Sequence, residues 1–302
     1  MATDLLTLLE LSPDQIKKIL LRAAFLKKSR KKGRLSSALK GKTLAMIFEK
    51  PSTRTKVSFD VAMYEMGGHT VSLDNHSSQL GRGESYEDTG RVLSQYVHGI
   101  VMRTFGQKNI EELAKGASVP VINGLSDLYH PCQTLTDLLT VQEEKGKLAK
   151  ARVCYVGDGN NVANSWILAS MILGFELRVA TPKGYEPSAM IFQKVNIGKT
   201  DSILLTNDPV EAVKGADVIN TDTWFSMGQE VSDEKRKAFL PYQVNQELLK
   251  KANKDAIVLH CLPAHRGEEI TNDVMDGPQS RVLQQAENRL HVQKAILEMF
   301  LK

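Results

Sequence analysis

Leu44-Ala45-Met46-Ile47-Phe48 runs without a polar residue into Glu49-Lys50-Pro51-Ser52-Thr53-Arg54-Thr55-Lys56. Five consecutive apolar residues after Gly41 predict a strand covered on both faces. The serine that follows starts a helix over about 52–66. A buried strand feeding a helix is the repeating unit of a parallel α/β sheet. Upstream, Ser12-Pro13-Asp14-Gln15 supplies a serine cap, a proline in the first helical turn and a glutamine at the third position, and Ile16, Ile19, Leu20 and Ala23 follow at helical spacing. Downstream, strands are expected at 70–73, 99–102 and 119–122. A helix opens at the capping sequence Ser85-Tyr86-Glu87-Asp88 and reaches Tyr96, and another covers 132–144 with Leu135, Leu138 and Leu139.

Lys145-Gly146-Lys147 then interrupts the pattern, which restarts with Arg152-Val153-Cys154-Tyr155-Val156. A helix after Asn161 and a strand at 177–180 follow. Two more strands end at Asn220-Thr221 and Leu259-His260, and an amphipathic helix covers 282–302. The expected fold class is α/β, with two doubly wound parallel-sheet domains. The first covers 1–146 and the second 147–284, with no internal repeat and no low-complexity tract.

A chain of 302 residues suits two such cores, and its 42% hydrophobic and 25% charged residues exclude disordered, collagenous and coiled-coil classes. The first residues hold no basic cluster, and Glu10 interrupts their apolar stretch, so no signal peptide, transit peptide or membrane span is read. Cys132, Cys154 and Cys261 are three and widely spaced, which argues against a disulfide framework and for a reducing, cytoplasmic setting. The net charge of +4 is mild. The densest basic run, Lys27-Lys28-Ser29-Arg30-Lys31-Lys32, falls where the first helix ends and lacks interleaved aromatics, so it reads as a solvated helix end and not as a nucleic-acid patch.

In open parallel sheets, ligands bind beyond the carboxyl ends of the strands. Those ends carry Ser52-Thr53-Arg54-Thr55, then Arg103-Thr104, then His130-Pro131-Cys132-Gln133. Hydroxyls and an arginine at a helix N-terminus favour a phosphate or another oxyanion, and Arg103 and His130 at neighbouring ends strengthen that reading. Gly157-Asp158-Gly159-Asn160-Asn161-Val162 imitates a dinucleotide fingerprint. Val162 replaces the third glycine, and no acid follows the strand at 177–180, which disfavours a dinucleotide-binding oxidoreductase. The glycines instead read as a tight turn exposing Asn160 or Asn161. Asp222 is a charge partner for an ammonium or a helix cap. Cys261 is a nucleophile, a proton acceptor, a metal ligand or a packed small residue. His130, Cys132, His260, Cys261 and His265 lack paired metal-ligand spacing, so no metal is expected.

Together, Phe48-Glu49-Lys50-Pro51-Ser52-Thr53-Arg54-Thr55, His130-Pro131-Cys132-Gln133, Asp222 with Ser226-Met227-Gly228, and His260-Cys261-Leu262-Pro263 resemble the ornithine carbamoyltransferases along the whole chain. The resemblance implies transfer of the carbamoyl group of carbamoyl phosphate to the side-chain amine of L-ornithine, giving L-citrulline and phosphate, without a cofactor, in a cleft between the domains. Carbamoyl phosphate would meet Ser52, Thr53, Arg54, Thr55, Arg103, His130, Pro131, Cys132 and Gln133, with Cys261, Leu262 and Arg289 closing over it. Gln79 would come from a neighbouring subunit of a homotrimer. Ornithine would meet Asn161, Asp222, Ser226 and Met227. Arg54, Arg103, His130 and Cys261 would carry the chemistry, and the helix at 285–302 would return to the first domain. The resemblance also implies a role in arginine metabolism, in arginine biosynthesis or in arginine breakdown, with no nucleic-acid or membrane partner. The nearest alternative is transfer to another amine such as putrescine.

Overall fold

The computed structural model describes residues 4–74, 79–193, 202–225 and 232–302. The chain forms two compact units, one from Met1–Leu139 with Glu287–Lys302 and one from Thr140–Ala286.

The first unit holds a sheet of β1 (Thr43–Phe48), β2 (His69–Asp74), β3 (Gly99–Arg103) and β4 (Val121–Leu125), all parallel, in the order β2-β1-β3-β4. Helices α1 (Pro13–Lys31), α2 (Thr53–Glu65), α3 (Tyr86–Leu93), α4 (Gln107–Gly116) and α5 (Pro131–Lys145) alternate with the strands. The apolar run of β1 is buried from Leu44 to Phe48, as expected of a strand covered on both faces. Ser12 and Gln15 form the reciprocal cap of α1, with Gln15 N–H to Ser12 Oγ at 3.2 Å and Ser12 N–H to Gln15 Oε1 at 2.9 Å. The order reverses between β1 and β3, which makes their carboxyl ends the place where a ligand would bind. Register sets Phe48 beside Arg103, and Glu49 N–H donates to the Arg103 carbonyl at 2.9 Å.

The second unit holds β5 (Arg152–Val156), β6 (Glu176–Ala180), β7 (Ile203–Thr206), β8 (Val218–Thr221) and β9 (Ile257–His260), all parallel, in the order β7-β6-β5-β8-β9. Here the order reverses between β5 and β8. Its helices are α6 (Asn161–Leu173), α7 (Met190–Gln193), α8 (Pro209–Val213), α9 (Asp233–Phe239), α10 (Gln246–Leu249) and α11 (Asn272–Met275). The chain crosses between units inside α5 and returns inside α12 (Val282–Leu301), whose Val292, Ala295, Ile296 and Leu297 are buried.

Several expectations are corrected. Helix α3 stops at Leu93 and not at Tyr96. The sequence reading lacks α4, β7 and the short helices α7 to α11. Lys27 is not a solvated charge: it is buried and donates to Asn288 Oδ1 at 2.6 Å, while the rest of the basic run lies at the surface. Among the described residues, no helix is long and apolar enough to cross a membrane.

Candidate active site

Ser52 caps α2 and accepts the Thr55 N–H at 3.4 Å. Thr53 is exposed, Arg54 and Ser52 are half-buried, and Thr55 is buried. Among the described residues, the Arg54 guanidinium has no ion pair or hydrogen bond, so its fork is available to an anion at the helix N-terminus. The loop before it is braced at Glu49, whose carboxylate accepts from Tyr86 OH at 2.7 Å and from Thr104 Oγ1.

Arg103 and His130 are both buried, at 8% and 4% exposure. Burial pushes the His130 imidazole well below its usual range, and the guanidinium groups of Arg289 and Arg103 push it further down. His130 is therefore neutral near pH 7 and can donate one ring N–H without carrying charge. Arg289, from α12, donates to Thr55 Oγ1 at 2.7 Å and to Gln133 Oε1, and Gln133 Nε2 donates to Asp137 Oδ1 at 2.7 Å. Three of the expected residues, Thr55, Gln133 and Arg289, thus form one network. Lys50 joins this basic group. It is buried, with Nζ 4.1 Å above the centre of the Phe105 ring, and burial and then Arg103 lower its pKa. Pro131 begins α5, and the Cys132 thiol points to the Asn123 carbonyl at 3.4 Å with its pKa pushed up to about 12 by burial. Gln79 lies exposed in the short turn Gln79–Arg82.

In the second unit, Gly157 adopts φ 143°, in a region that favours glycine, and a Cβ on Gly159 would overlap the backbone of Glu186 and Pro187. Both glycines therefore answer to backbone geometry. The turn does not expose its asparagines: Asn160 caps α6 through Val162 N–H at 2.9 Å, and Asn161 is 9% exposed. Asn160 Nδ2 donates to Asp222 Oδ2 at 2.9 Å, and the Cys261 thiol donates to Asp222 Oδ1 at 3.0 Å. Asp222 is buried at 8% exposure, and among the described residues no lysine or arginine pairs with it. Lys235 instead pairs with Asp158 at 2.9 Å, beside the rings of Tyr185, Phe225 and Phe239. The expected Ser226 and Met227 lie outside the described residues.

Among the described residues, two groups bring metal-type ligand atoms within 4.8 Å of one another, Asp222-His260-Cys261 and His265-Glu268-Glu269. In the first, both ring nitrogens of His260 are already engaged, by the Leu262 N–H at 2.9 Å and by Glu269 Oε1 at 2.9 Å. Lys50, Asp137 and Glu269 were not singled out in the sequence. Asp137 carried a readable signal, an acid four residues after Gln133 on a buried helix face.

Residues 3–143 match the family model described as the aspartate/ornithine carbamoyltransferase carbamoyl-P binding domain, and residues 149–300 match its Asp/Orn binding domain. The ornithine carbamoyltransferase of Syntrophus aciditrophicus is 52% identical over 302 residues, covering 100% of both chains. That of Pyrococcus abyssi is 53% identical, over 99% of this chain and 95% of its own. The solved ornithine carbamoyltransferase from Pyrococcus furiosus superposes with a TM-score of 0.95 at 52% identity, over 99% of this chain and 97% of that one. With both of its units matched and relatives this similar along its full length, the chain belongs to the ornithine carbamoyltransferase family.

Proposed function

We propose that the chain transfers the carbamoyl group of carbamoyl phosphate to the side-chain amine of L-ornithine, releasing L-citrulline and phosphate. The observation that carries this reading is a buried histidine, held neutral, next to two buried arginines, one of which, Arg289, donates to Thr55 in the first turn of α2. In this reaction the neutral amine attacks the carbamoyl carbon, the carbon–oxygen bond to phosphate breaks, and the amine loses a proton. Negative charge grows on the carbonyl oxygen and on the leaving phosphate. His130, Thr55 and Arg103 are assigned to the first charge, and Ser52, Thr53, Arg54 and the helix N-terminus to the second. Gln133 and Arg289 hold the carbamoyl group in place. No cofactor is invoked, because the phosphate is already a good leaving group.

On the acceptor side, Asp222 offers a buried carboxylate lacking a cationic partner among the described residues, which suits the ammonium of ornithine. That ammonium, near pKa ~10.4, must lose a proton before attack. Asp222 and Cys261 are the groups assigned to position the amine and take up that proton, with Asn161, Ser226 and Met227 as further contacts. The Asp222 carboxylate accepts it, directly or by relay as Cys261 takes the amine's proton and passes its own thiol hydrogen to Asp222. Bringing both reactants into near-attack geometry supplies about 7–11 kcal/mol.

The working form is proposed to be a cytoplasmic homotrimer serving arginine biosynthesis, with Gln79 reaching the site of a neighbouring subunit. Exposed Val57 and Tyr64 on α2, and Val71 on the edge strand β2, support such an interface in the first unit. Citrulline formation from carbamoyl phosphate, measured with ornithine, putrescine and aspartate in turn, tests the reading. Ornithine is expected to be strongly preferred. A preference for either other amine, or no product with ornithine, overturns it.

A further inference from the structure

We propose that Glu269 is a positioning residue for this reaction, acting through His260 to fix the Cys261-Leu262 turn. The inference rests on the carbamoyl-transfer reading for its catalytic consequence, but its geometry is independent of it. His260 and Glu269 are both fully buried, at 1% and 0% exposure. The Leu262 N–H donates to His260 Nδ1 at 2.9 Å, so that nitrogen carries no hydrogen. The ring hydrogen then sits on Nε2 and donates to Glu269 Oε1 at 2.9 Å. Glu269 thereby selects the one tautomer that can receive the Leu262 N–H. Leu262 needs that support, because its φ of 61° lies in the left-handed region that a leucine seldom adopts.

Glu269 is itself firmly held. Its Oε1 accepts the His265 N–H at 2.6 Å, and its backbone carbonyl accepts the Val244 N–H at 2.8 Å. The His260 N–H is fixed separately, donating to Gln285 Oε1 at 2.9 Å. The strand end at His260 and the segment around Glu269 thus grip the turn from two sides. What the turn presents is the Cys261 thiol, whose hydrogen bond to Asp222 orients the carboxylate assigned to the acceptor amine. Loss of the Glu269–His260 contact frees the ring to take the other tautomer, removes the acceptor for Leu262 and lets the thiol leave Asp222.

The test compares His260→Asn with His260→Gln. Asparagine places an acceptor where Nδ1 stood and keeps the Leu262 bond. Glutamine reaches toward Glu269 but leaves Leu262 without an acceptor. Positioning predicts that His260→Asn stays within about threefold of the parent in kcat, while His260→Gln and Glu269→Ala lose about tenfold, the worth of one hydrogen bond. Glu269→Gln, which still accepts from Nε2, should recover most of that loss. The KM for carbamoyl phosphate should move less than kcat. A substrate-free readout is the alkylation rate of Cys261, since Cys132 and Cys154 are buried and burial raises both of their thiols. Alkylation should speed up severalfold in His260→Gln and Glu269→Ala but not in His260→Asn. His260→Asn as impaired as His260→Gln, or an unchanged thiol rate in both His260→Gln and Glu269→Ala, overturns the proposal. If Glu269→Ala does not fold, the two His260 variants decide alone. A parent enzyme that makes no citrulline would defeat the carbamoyl-transfer reading while leaving the thiol comparison decisive.

Discussion

At the level of single side chains, Asp222 and His130 make opposite demands on charge. Asp222 is a buried carboxylate whose neighbours, Asn160 and Cys261, donate neutral hydrogen bonds. A charge-assisted bond to an ammonium is worth roughly 1.5–3 kcal/mol, so Asp222→Asn should raise the KM for ornithine about 10- to 150-fold. The KM for carbamoyl phosphate should move less than threefold in steady-state assays with each substrate varied. Equal damage to both would mean that the carboxylate serves the fold. His130 is kept neutral by burial, Arg289 and Arg103, so its pKa is lower in the folded chain than in the unfolded one. Below about pH 6.5 the unfolded state gains a proton that the folded state refuses, so this contribution to stability is present above that pH and lost as pH falls. The slope from one such group is at most about 1.4 kcal/mol per pH unit. His130→Gln should therefore reduce the loss of urea resistance between about pH 6.5 and 5. Identical pH slopes in parent and variant would refute the assignment.

Helix α12 shows how one element ties distant sequence to the first unit. Besides Arg289, it sends Lys294 to Glu65 at the end of α2, and Arg30 of α1 reaches the same carboxylate at 2.9 Å. Burial works against the charge on Glu65, but Lys294 and Arg30 prevail and hold its carboxyl below the usual range. Glu65→Gln would leave Lys294, only 3% exposed, without a counter-charge, at a cost of about 3–5 kcal/mol. Glu65→Gln combined with Lys294→Met should recover much of that loss in denaturant unfolding, and a strictly additive double variant would contradict the pairing. None of this was readable in the sequence, because residues 65 and 294 meet only through the fold. What was readable had a local cause: apolar runs such as 44–48 have no reason to exist outside a covered strand, and Ser12 and Gln15 cap each other over three residues. Strand β7 escaped because it is a half-exposed edge, with Leu204 and Leu205 at 40% and 42% exposure, and it shows no burial period. Helix α4 escaped because its cap, Gly106, makes no side-chain bond. The strand-end residues Thr55, Arg103, His130, Asp222 and Cys261 could be singled out because a parallel sheet delivers ligand groups at its carboxyl ends. The Glu269–His260 contact could not, since eight residues of irregular backbone lie between the two.

At the scale of the whole molecule, the open question is whether one chain completes its own site. Gln79 is exposed in the turn Gln79–Arg82, and in the single chain its side chain has no partner among the described residues, as suits a residue that serves a neighbour. In a cyclic trimer every subunit offers the same loop to the same side, so the interface is heterologous and closed. Consider Arg54→Ala, impaired in the body of the site, and Gln79→Ala, impaired in the donated loop. In a mixed ring, one site in three pairs an intact body with an intact loop. Equal random mixing makes about three-quarters of the rings mixed, so about a quarter of all sites should regain parental activity. The experiment unfolds and refolds the two variants together and compares the activity with each refolded alone. Recovery near that fraction supports sites shared around a ring. Confirmed mixed trimers with no recovery would mean that each chain builds its site alone, and a protein that sediments as a monomer while making citrulline would remove the ring from the proposal.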